Sequence, residues 1–232
     1  MDLLLEAIAE AWRLLTTGDA DVYGITARTA AITGTSTLVS MLIGMPAGMA
    51  LALGRFPGRR PLVALANAGT GMPPVVAGLI VAMLLWRSGP LGSLRLIYTP
   101  AAIVVAQTLI ATPVIAALTA AAVMALPPSL HLQIRAMGAG RSQYLWLVAR
   151  EARLPLLVAV MAGFGAVISE VGASMMVGGN LAGSTRVLTT ASVLEVGKGQ
   201  FGTALALGFI LVAVTIGVSL VLSAVQQRAQ RR

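Results

Sequence analysis

The sequence predicts an all-α membrane protein with five transmembrane helices and an amphipathic helix at the N-terminus. Of its 232 residues, 57% are hydrophobic and only 10% are charged, whereas soluble globular chains are about 25% charged. Four stretches without a charged residue each exceed the roughly 20 residues that a helix needs to cross a hydrocarbon core about 30 Å thick. These stretches are 29–54, 61–86, 96–134 and 199–227. The whole chain, 1–232, is therefore predicted to form a single transmembrane domain.

A fifth span is predicted over 154–177, where Glu170 is the only charged residue. The basic residues predict the orientation of the five spans, because Lys and Arg concentrate in cytoplasmic loops. With the N-terminus outside and the C-terminus inside, 10 of the 16 basic residues fall on the cytoplasmic side. They are Arg55, Arg59, Arg60, Arg135, Arg141, Arg150, Arg153, Arg228, Arg231 and Arg232.

Residues 1–17 are too polar to span the membrane but have the pattern of an amphipathic helix. Apolar residues recur at helical spacing, and acidic residues occupy another face. The apolar set is Leu4, Leu5, Ile8, Trp12 and Leu15, and the acidic set is Asp2, Glu6 and Glu10. This pattern predicts a helix lying on the outer membrane surface, with packing against the bundle as the alternative. Because the chain begins Met1-Asp2 rather than with a basic segment, we expect no cleavable signal.

The composition argues against several classes of function. The chain has no cysteine and a single histidine, so we expect no metal site and interpret His131 as an ordinary surface residue. No grouping of nucleophile, base and orienting residue is present, so we expect the chain not to be an enzyme. It also lacks the Gly-x-x-x-x-Gly-Lys-Ser/Thr sequence that cradles ATP phosphates. The basic residues follow the membrane topology, so nucleic acid is not an expected partner.

The longest predicted cytoplasmic segment, about 126–153, has the pattern of a docking element. Its Pro127-Pro128-Ser129 sequence ends one helix and can begin the next. A short helix is predicted over 133–138, followed by a sharp bend at glycines and a second helix over 142–153. An apolar helix face flanked by arginines suits a groove on a cytoplasmic partner.

This segment resembles the cytoplasmic coupling loop in the permease family of ATP-binding-cassette (ABC) importers. The resemblance rests on an alanine-rich start, a central glycine and a later Leu-Pro, here Leu154-Pro155. Leu132 or Gln133 stands where that family has an acidic residue, and the spacing from Gly138 to Pro155 is longer than usual. The resemblance implies an ABC permease fold in which a set of residues couples the chain to an ATPase. This set is Ile134, Arg135, Ala136, Met137, Gly138, Ala139, Gly140 and Arg141.

A second resemblance extends over nearly the whole chain and is to permeases that import tungstate, with molybdate and sulfate permeases close behind. It is carried by 170–180 and 185–190, together with 54–60, 71–76 and 88–93. It implies a subunit that moves an oxyanion, tungstate above all, into the cytoplasm by alternating access. Molybdate and sulfate stay open as cargo, and an ATP-independent channel or secondary transporter is the alternative from another class.

The same resemblance implies the partners and the location of the chain. The expected partners are a second copy of the permease, two cytoplasmic ABC ATPase subunits and an extracytoplasmic oxyanion-binding protein. A homodimer is expected because five helices alone rarely surround a polar pathway. The chain would cross the lipid of the inner cell membrane several times. No cofactor is expected in this chain, since ATP and Mg would bind to the ATPase subunits.

Residues 169–190 supply hydroxyl and backbone N–H groups suited to a passing oxyanion. Neutral donors hold an anion less tightly than a cluster of desolvated arginines does. The candidates for the pathway or gate are Ser169, Glu170, Gly172, Ser174, Gly178, Asn180, Thr185, Arg186 and Thr189. Ordinary helix packing is the alternative for each of them.

Glu170 and Arg186 are the charged members of this set. A carboxylate inside a span is costly and would repel a dianion, so Glu170 is interpreted as a structural or gating anchor, with Arg186 as a candidate ion-pair partner. A direct role in the pathway is the alternative. A helix continuing from Leu154 would place Glu170 about 24 Å along it, near the outer side. Arg186 is the candidate positive charge at the external mouth, with an ordinary loop arginine as the alternative.

Overall fold

The regular elements are helices throughout the computed structural model, which describes residues 2–17 and 20–230. In chain order they are α1 (Asp2–Thr17), α2 (Ala20–Leu53), α3 (Arg59–Gly69), α4 (Pro74–Leu85), α5 (Pro100–Met124), α6 (Pro128–Ala136), α7 (Arg141–Glu151), α8 (Arg153–Ile168), α9 (Gly172–Gly178), α10 (Leu188–Gly197) and α11 (Phe201–Gln230). A short 3₁₀ turn, Gly92–Leu94, lies between α4 and α5. The prediction of an all-α protein is confirmed.

Among the described residues, three single helices are long and apolar enough to cross a membrane. They are α2, α5 and the Phe201–Ala224 part of α11. Two helix pairs pass the same test together but are bent, by 107° between α3 and α4 and by 73° between α7 and α8. If each bent pair forms one span, the described residues hold up to 5 spans. The count of five and the N-out, C-in orientation therefore stay predictions.

The predicted span 61–86 consists of two helices rather than one. α3 ends at Gly69 and α4 begins at Pro74, because a proline ring cannot continue the hydrogen bonds of the preceding turn. Pro74 occupies the start of α4, where its missing N–H has no helical partner to lose.

The predicted span 154–177 is also divided. α8 ends at Ile168 and α9 begins at Gly172, so no continuous helix carries Glu170 from Leu154. The prediction of one continuous helix is therefore wrong and the 24 Å estimate does not apply, while the location of Glu170 near the outer side stays a prediction. The physical reason lies in the Glu170 side chain, which starts α9 instead of continuing α8.

Small and polar residues hold α2 against α5. A Cβ atom at Gly48 would overlap the Ala116 carbonyl oxygen and the Thr119 side chain, so only glycine allows the two backbones to approach this closely. Further along the pair, the buried Ser36 hydroxyl donates to Oε1 of Gln107 at 2.8 Å. Close packing and a satisfied buried hydrogen bond both favour one fixed alignment of these helices.

Buried apolar side chains form three clusters. One joins α2, at Ile32, to α4, α5 and α9. A second lies near the start of α2 and comprises Val22, Ile25, Leu188, Ala191 and Leu207. Near its end, Met49 and Leu53 pack against Val123, Ile134, Val148, Ala152 and Leu156. Because α2 has 34 residues, it is about 50 Å long, and the segments containing residues 134 and 188 lie at opposite ends of the bundle.

The N-terminal segment forms the predicted amphipathic helix, α1, which packs along α11. Leu5, Ile8 and Trp12 of its apolar set stay largely exposed, Trp12 by 70%. On the polar face, Arg13 donates to Glu10 at 2.6 and 2.8 Å. This hydrogen bonding lowers the pKa of the Glu10 carboxyl below its ordinary value. The packing on α11 agrees with the alternative of a helix held against the bundle, and a membrane-surface location stays a prediction.

Candidate functional site

The coupling segment predicted over 126–153 forms α6 and α7, joined by a turn at the glycines. Gly138 follows α6 with a φ of +75°, a left-handed conformation that suits glycine just after a helix end. Its N–H donates to the Arg135 carbonyl at 3.0 Å. The Gln143 side chain accepts the Gly140 N–H at 3.0 Å as α7 begins. The predicted bend at the glycines is therefore present.

The α6 helix has one buried and one exposed apolar side. Ile134 is 6% exposed and belongs to the cluster formed with α5, α7 and α8. In contrast, Leu132 and Met137 are 68% and 85% exposed. α6 begins at Pro128, earlier than the predicted start. The other coupling candidates are largely at the surface, with Arg135, Ala136, Gly138, Gly140 and Arg141 exposed and Ala139 half-buried.

Side chains also fasten α6 to α7. The Tyr144 hydroxyl lies 2.9 Å from Nδ1 of His131, and the Arg135 guanidinium lies 5.2 Å from the centre of the Tyr144 ring. A cation over an aromatic face is attracted by the electron-rich ring. His131 is thus a half-buried structural contact between the two helices rather than an ordinary surface residue. Together these contacts make α6, the turn and α7 one unit.

Beyond the far end of α8, Glu170 starts the short helix α9. Its carboxylate is 4% exposed and accepts the Ala173 N–H, the Ser174 N–H at 2.9 Å and the Ser174 hydroxyl at 2.7 Å. These donors are the otherwise unpaired groups at a helix N-terminus, which favour a negative charge. The predicted ion pair with Arg186 is absent from the described structure, because backbone and hydroxyl donors take its place.

Two threonines join this helix start to neighbouring elements. The Thr189 hydroxyl donates to the Glu170 carbonyl at 2.9 Å, which ties α10 to the break between α8 and α9. The Leu188 N–H donates to the Thr29 hydroxyl at 2.9 Å, so a residue of α2 caps α10. Thr29 is itself 3% exposed. α10 therefore contacts the break between α8 and α9 directly, and α2 in turn holds the start of α10.

The glycines of this region allow close packing rather than providing open space. A Cβ at Gly172 would lie 2.6 Å from Cγ2 of Val75 on α4, and one at Gly178 would lie 2.8 Å from Cδ1 of Ile103 on α5. Both contacts are tighter than packed side chains show, so we interpret these two glycines as packing residues.

The connection from α9 to α10 forms a compact polar loop, residues 179–187. The Thr185 hydroxyl donates to the Gly178 carbonyl at 2.6 Å and accepts the Leu181 N–H at 2.9 Å. Asn180 has a positive φ of 51°, and its carbonyl accepts from Nη2 of Arg186 at 3.4 Å. This loop is thus shaped by its own side chains.

The structure groups most of the predicted pathway residues but not all of them. Glu170, Ser174 and Thr189 share one hydrogen-bonded cluster, whereas Asn180, Thr185 and Arg186 share the adjacent loop. Ser169 follows the last residue of α8, is exposed, and donates to the Gly165 carbonyl of that helix.

Sequence reasoning missed two residues of α2, and it named Thr189 without predicting the helix α10 that carries it. Arg28 contacts the loop, and Thr29 caps α10. A signal was present in the sequence, because hydroxyl residues recur on one side of α2 and are buried there. They are Thr29, Thr33, Ser36, Thr37 and Ser40.

Known proteins resemble this chain in sequence and in fold. Residues 44–232 match the family described as binding-protein-dependent transport system inner membrane component. The chain belongs to this family of ABC importer permeases. The permease is 38% identical over 200 residues to the probable anion ABC transporter permease protein of Haloferax volcanii, covering 84% of this chain and 86% of that one.

It is also 32% identical over 227 residues to the tungstate uptake system permease protein TupB of Peptoclostridium acidaminophilum, covering 98% of this chain and 100% of TupB. Among solved structures, the permease is similar to a chain of the MetNI methionine ABC transporter in inward-facing conformations, with a TM-score of 0.70. That likeness covers 90% of this chain and 95% of the other at 22% identity, and it concerns the fold alone. The predicted permease fold is confirmed, and the chain is a membrane-embedded transporter subunit rather than an enzyme.

Proposed function

We propose that this permease moves an oxyanion, with tungstate as the first candidate, across the inner membrane into the cytoplasm by alternating access. The observation that carries the proposal is the similarity to TupB, which covers 98% of this chain and all of TupB. Molybdate and sulfate are the alternative cargoes, since all three are tetrahedral dianions.

The α6–α7 unit is the proposed contact with the ATPase. The exposed Leu132 and Met137 provide an apolar surface of the kind that a groove on a partner buries. Ile134 connects that surface to α5 and α8 through the cluster beneath it. Energy would enter the permease here, because ATP and Mg belong to the partner subunits.

The proposed assembly contains two permease chains, two ATPase subunits and an extracytoplasmic binding protein. Several bundle faces of the single chain expose large apolar side chains, among them Leu42 on α2 and Leu79 on α4. Such faces need lipid or a second copy against them, in agreement with a membrane-embedded homodimer. The polar loop 179–187 would then face the outside, where the binding protein delivers the anion.

Glu170 is proposed as an anchor and not as a ligand of the anion. Its carboxylate already accepts three donors of α9, and its negative charge would repel a dianion at close range. The hydroxyl and backbone groups around it, together with the loop, are the proposed neighbours of the pathway.

Uptake by the reconstituted complex tests this function. Proteoliposomes containing the permease and its ATPase would receive the binding protein loaded with tungstate, molybdate or sulfate, with ATP inside or absent. We expect ATP-dependent uptake that is fastest for tungstate. Faster uptake of molybdate or sulfate would assign the cargo to that anion, and uptake without ATP would indicate a channel or secondary transporter.

The docking role of α6 predicts the effect of Met137→Glu. A charge at this exposed apolar position would weaken ATPase binding by about tenfold or more, since few residues carry most of the energy of an interface. Co-purification of the ATPase with the detergent-solubilised permease measures this effect. Gln200→Glu, an exposed change between α10 and α11 at the other end of the bundle, is the matched control. Wild-type ATPase binding by Met137→Glu would contradict the proposed coupling surface.

A further inference from the structure

Two arginines from distant parts of the chain meet at the polar loop 179–187. Arg28 of α2 donates from Nε to the Arg186 carbonyl and from Nη1 to the Gly183 carbonyl, both at 3.4 Å. Arg186 donates from Nη2 to the Asn180 carbonyl, also at 3.4 Å. Both side chains are partly buried. The loop thus brings two guanidinium groups to one end of the bundle.

These guanidinium groups have weak partners. Each of the three distances is at the long end of N–H···O hydrogen bonds, and the acceptors are neutral carbonyls. Nε of Arg186 is buried without any hydrogen-bond partner. Neither arginine forms an ion pair with a carboxylate in the described part of the chain, where the ion pairs are Arg13–Glu10 and Lys198–Glu195.

Glu170, which a hydrogen bond links to Thr189 of α10, does not neutralise the charges of Arg28 and Arg186. Glu170 contacts Thr189 only through its backbone carbonyl, and its carboxylate is taken up by the start of α9. Two partly buried positive groups with spare donors and neutral acceptors therefore remain at this end of the bundle. Arginine donors form their strongest hydrogen bonds with the oxygens of carboxylates and of tetrahedral anions.

We propose that Arg28 and Arg186 form the first binding site in the permease for the transported oxyanion, a proposal that rests on the function proposed above. The dianion accepts N–H groups from both guanidinium forks in place of the loop carbonyls. When it leaves, the carbonyls of Asn180, Gly183 and Arg186 take the donors back. Because each step exchanges one set of acceptors for another, the anion is held and also released.

The position of Arg28 fits this role. It immediately precedes Thr29, which caps α10 by accepting the Leu188 N–H. Arg186 lies two residues before Leu188, in the part of the loop 179–187 that leads into α10. A dianion between the two arginines would therefore draw α2 and the start of α10 together, next to the cluster that fixes the break between α8 and α9.

Charge-removing variants test the site in the complete transporter. Arg28→Gln and Arg186→Gln keep a side-chain amide that can donate to the loop carbonyls but lose the charge. With saturating tungstate-loaded binding protein, we expect each variant to lower the uptake rate by about tenfold, equivalent to one charge-assisted hydrogen bond. Arg28→Lys, which keeps the charge, should retain most of the rate. Arg87→Gln, an exposed arginine of the loop between α4 and α5, is the matched control and should transport as the wild type does.

A second measurement separates binding from a merely structural role. Excess sodium tungstate, added without binding protein to the solubilised complex, should raise its melting temperature relative to sodium chloride of equal ionic strength. We expect Arg186→Gln to lose this rise while its melting temperature without tungstate stays unchanged. Wild-type uptake by both Gln variants would overturn the proposed site. The site would also be overturned if the variants lower the uptake rate together with the melting temperature measured without tungstate, and if Arg28→Lys does not restore the rate. If the wild-type complex moves no oxyanion at all, the proposed function fails and the site fails with it.

Discussion

At the scale of single residues, the polar groups of this permease act mainly by starting and ending helices. Glu170 begins α9, Thr29 begins α10 from a distance and Gly138 ends α6. The buried Glu170 and Thr29 pair backbone N–H groups that have no water to bond with, whereas the exposed Gly138 ends its helix through its left-handed conformation. Each of these groups therefore determines where a helix begins or ends.

The capping role of Glu170 predicts the effect of its removal. Glu170→Ala leaves the Ala173 and Ser174 N–H groups without their acceptor, so we expect the free energy of unfolding to fall by about 0.5–2 kcal/mol, as for other lost helix caps. Glu170→Gln keeps one acceptor oxygen, so we expect its free energy of unfolding to lie between those of the wild type and of Glu170→Ala. Thermal unfolding of the detergent-solubilised chain measures the effect.

Ser169→Ala is the control for this experiment, because Ser169 is exposed and donates to the Gly165 carbonyl of α8. We expect its melting temperature to match the wild type. Equal melting temperatures for Glu170→Ala and the wild type would show that the cap contributes nothing to stability.

At the scale of elements, the sequence predicts helices well and their interruptions poorly. Apolar composition is sufficient to predict α2, α5 and α11, because a segment in lipid must satisfy its own backbone. The break between α8 and α9 depends on which groups Glu170 meets in space, and α10 depends on Thr29, which lies 159 residues away. For the same reason the sequence indicated Arg186 as a site candidate but not Arg28, whose partners are carbonyls of a distant loop.

The packing of α2 on α5 predicts a contrast between two glycines of one helix. Gly48→Ala would place a methyl group against the Ala116 carbonyl and the Thr119 side chain, so we expect a loss of about 1–3 kcal/mol, as for other overpacked sites. Gly34→Ala meets nothing within 4 Å and should leave stability unchanged or raise it, because alanine favours helix. Thermal unfolding of both variants is the measurement. A Gly34→Ala variant as unstable as Gly48→Ala would refute close packing as the cause.

At the scale of the whole molecule, the two candidate sites lie at opposite ends of a bundle about 50 Å long, estimated from the length of α2. Separate apolar clusters lie near the start and near the end of α2. Such a separation suits a protein that accepts energy on one side of a membrane and cargo on the other.

The predicted orientation can be measured directly, because the chain contains no cysteine. Single variants Ser93→Cys, in the loop between α4 and α5, and Ser142→Cys, in α7, introduce one exposed thiol each. With the N-terminus outside, a membrane-impermeant maleimide added to intact cells should label Ser93→Cys and spare Ser142→Cys until the membrane is opened. The cysteine-free parent gives the background. The reverse labelling pattern would invert the topology and place the polar loop 179–187 in the cytoplasm.

The attachment of α6 has a mechanical consequence. The helix has 9 residues, about 13 Å, and Ile134 is its buried side chain in the described chain. Leu130 of the same helix packs against the same cluster, and the bond between His131 and Tyr144 joins α6 to α7. Since α7 meets α8 at 73°, we expect that a push from the proposed partner on α6 would turn α8, the helix whose far end stops just before Glu170.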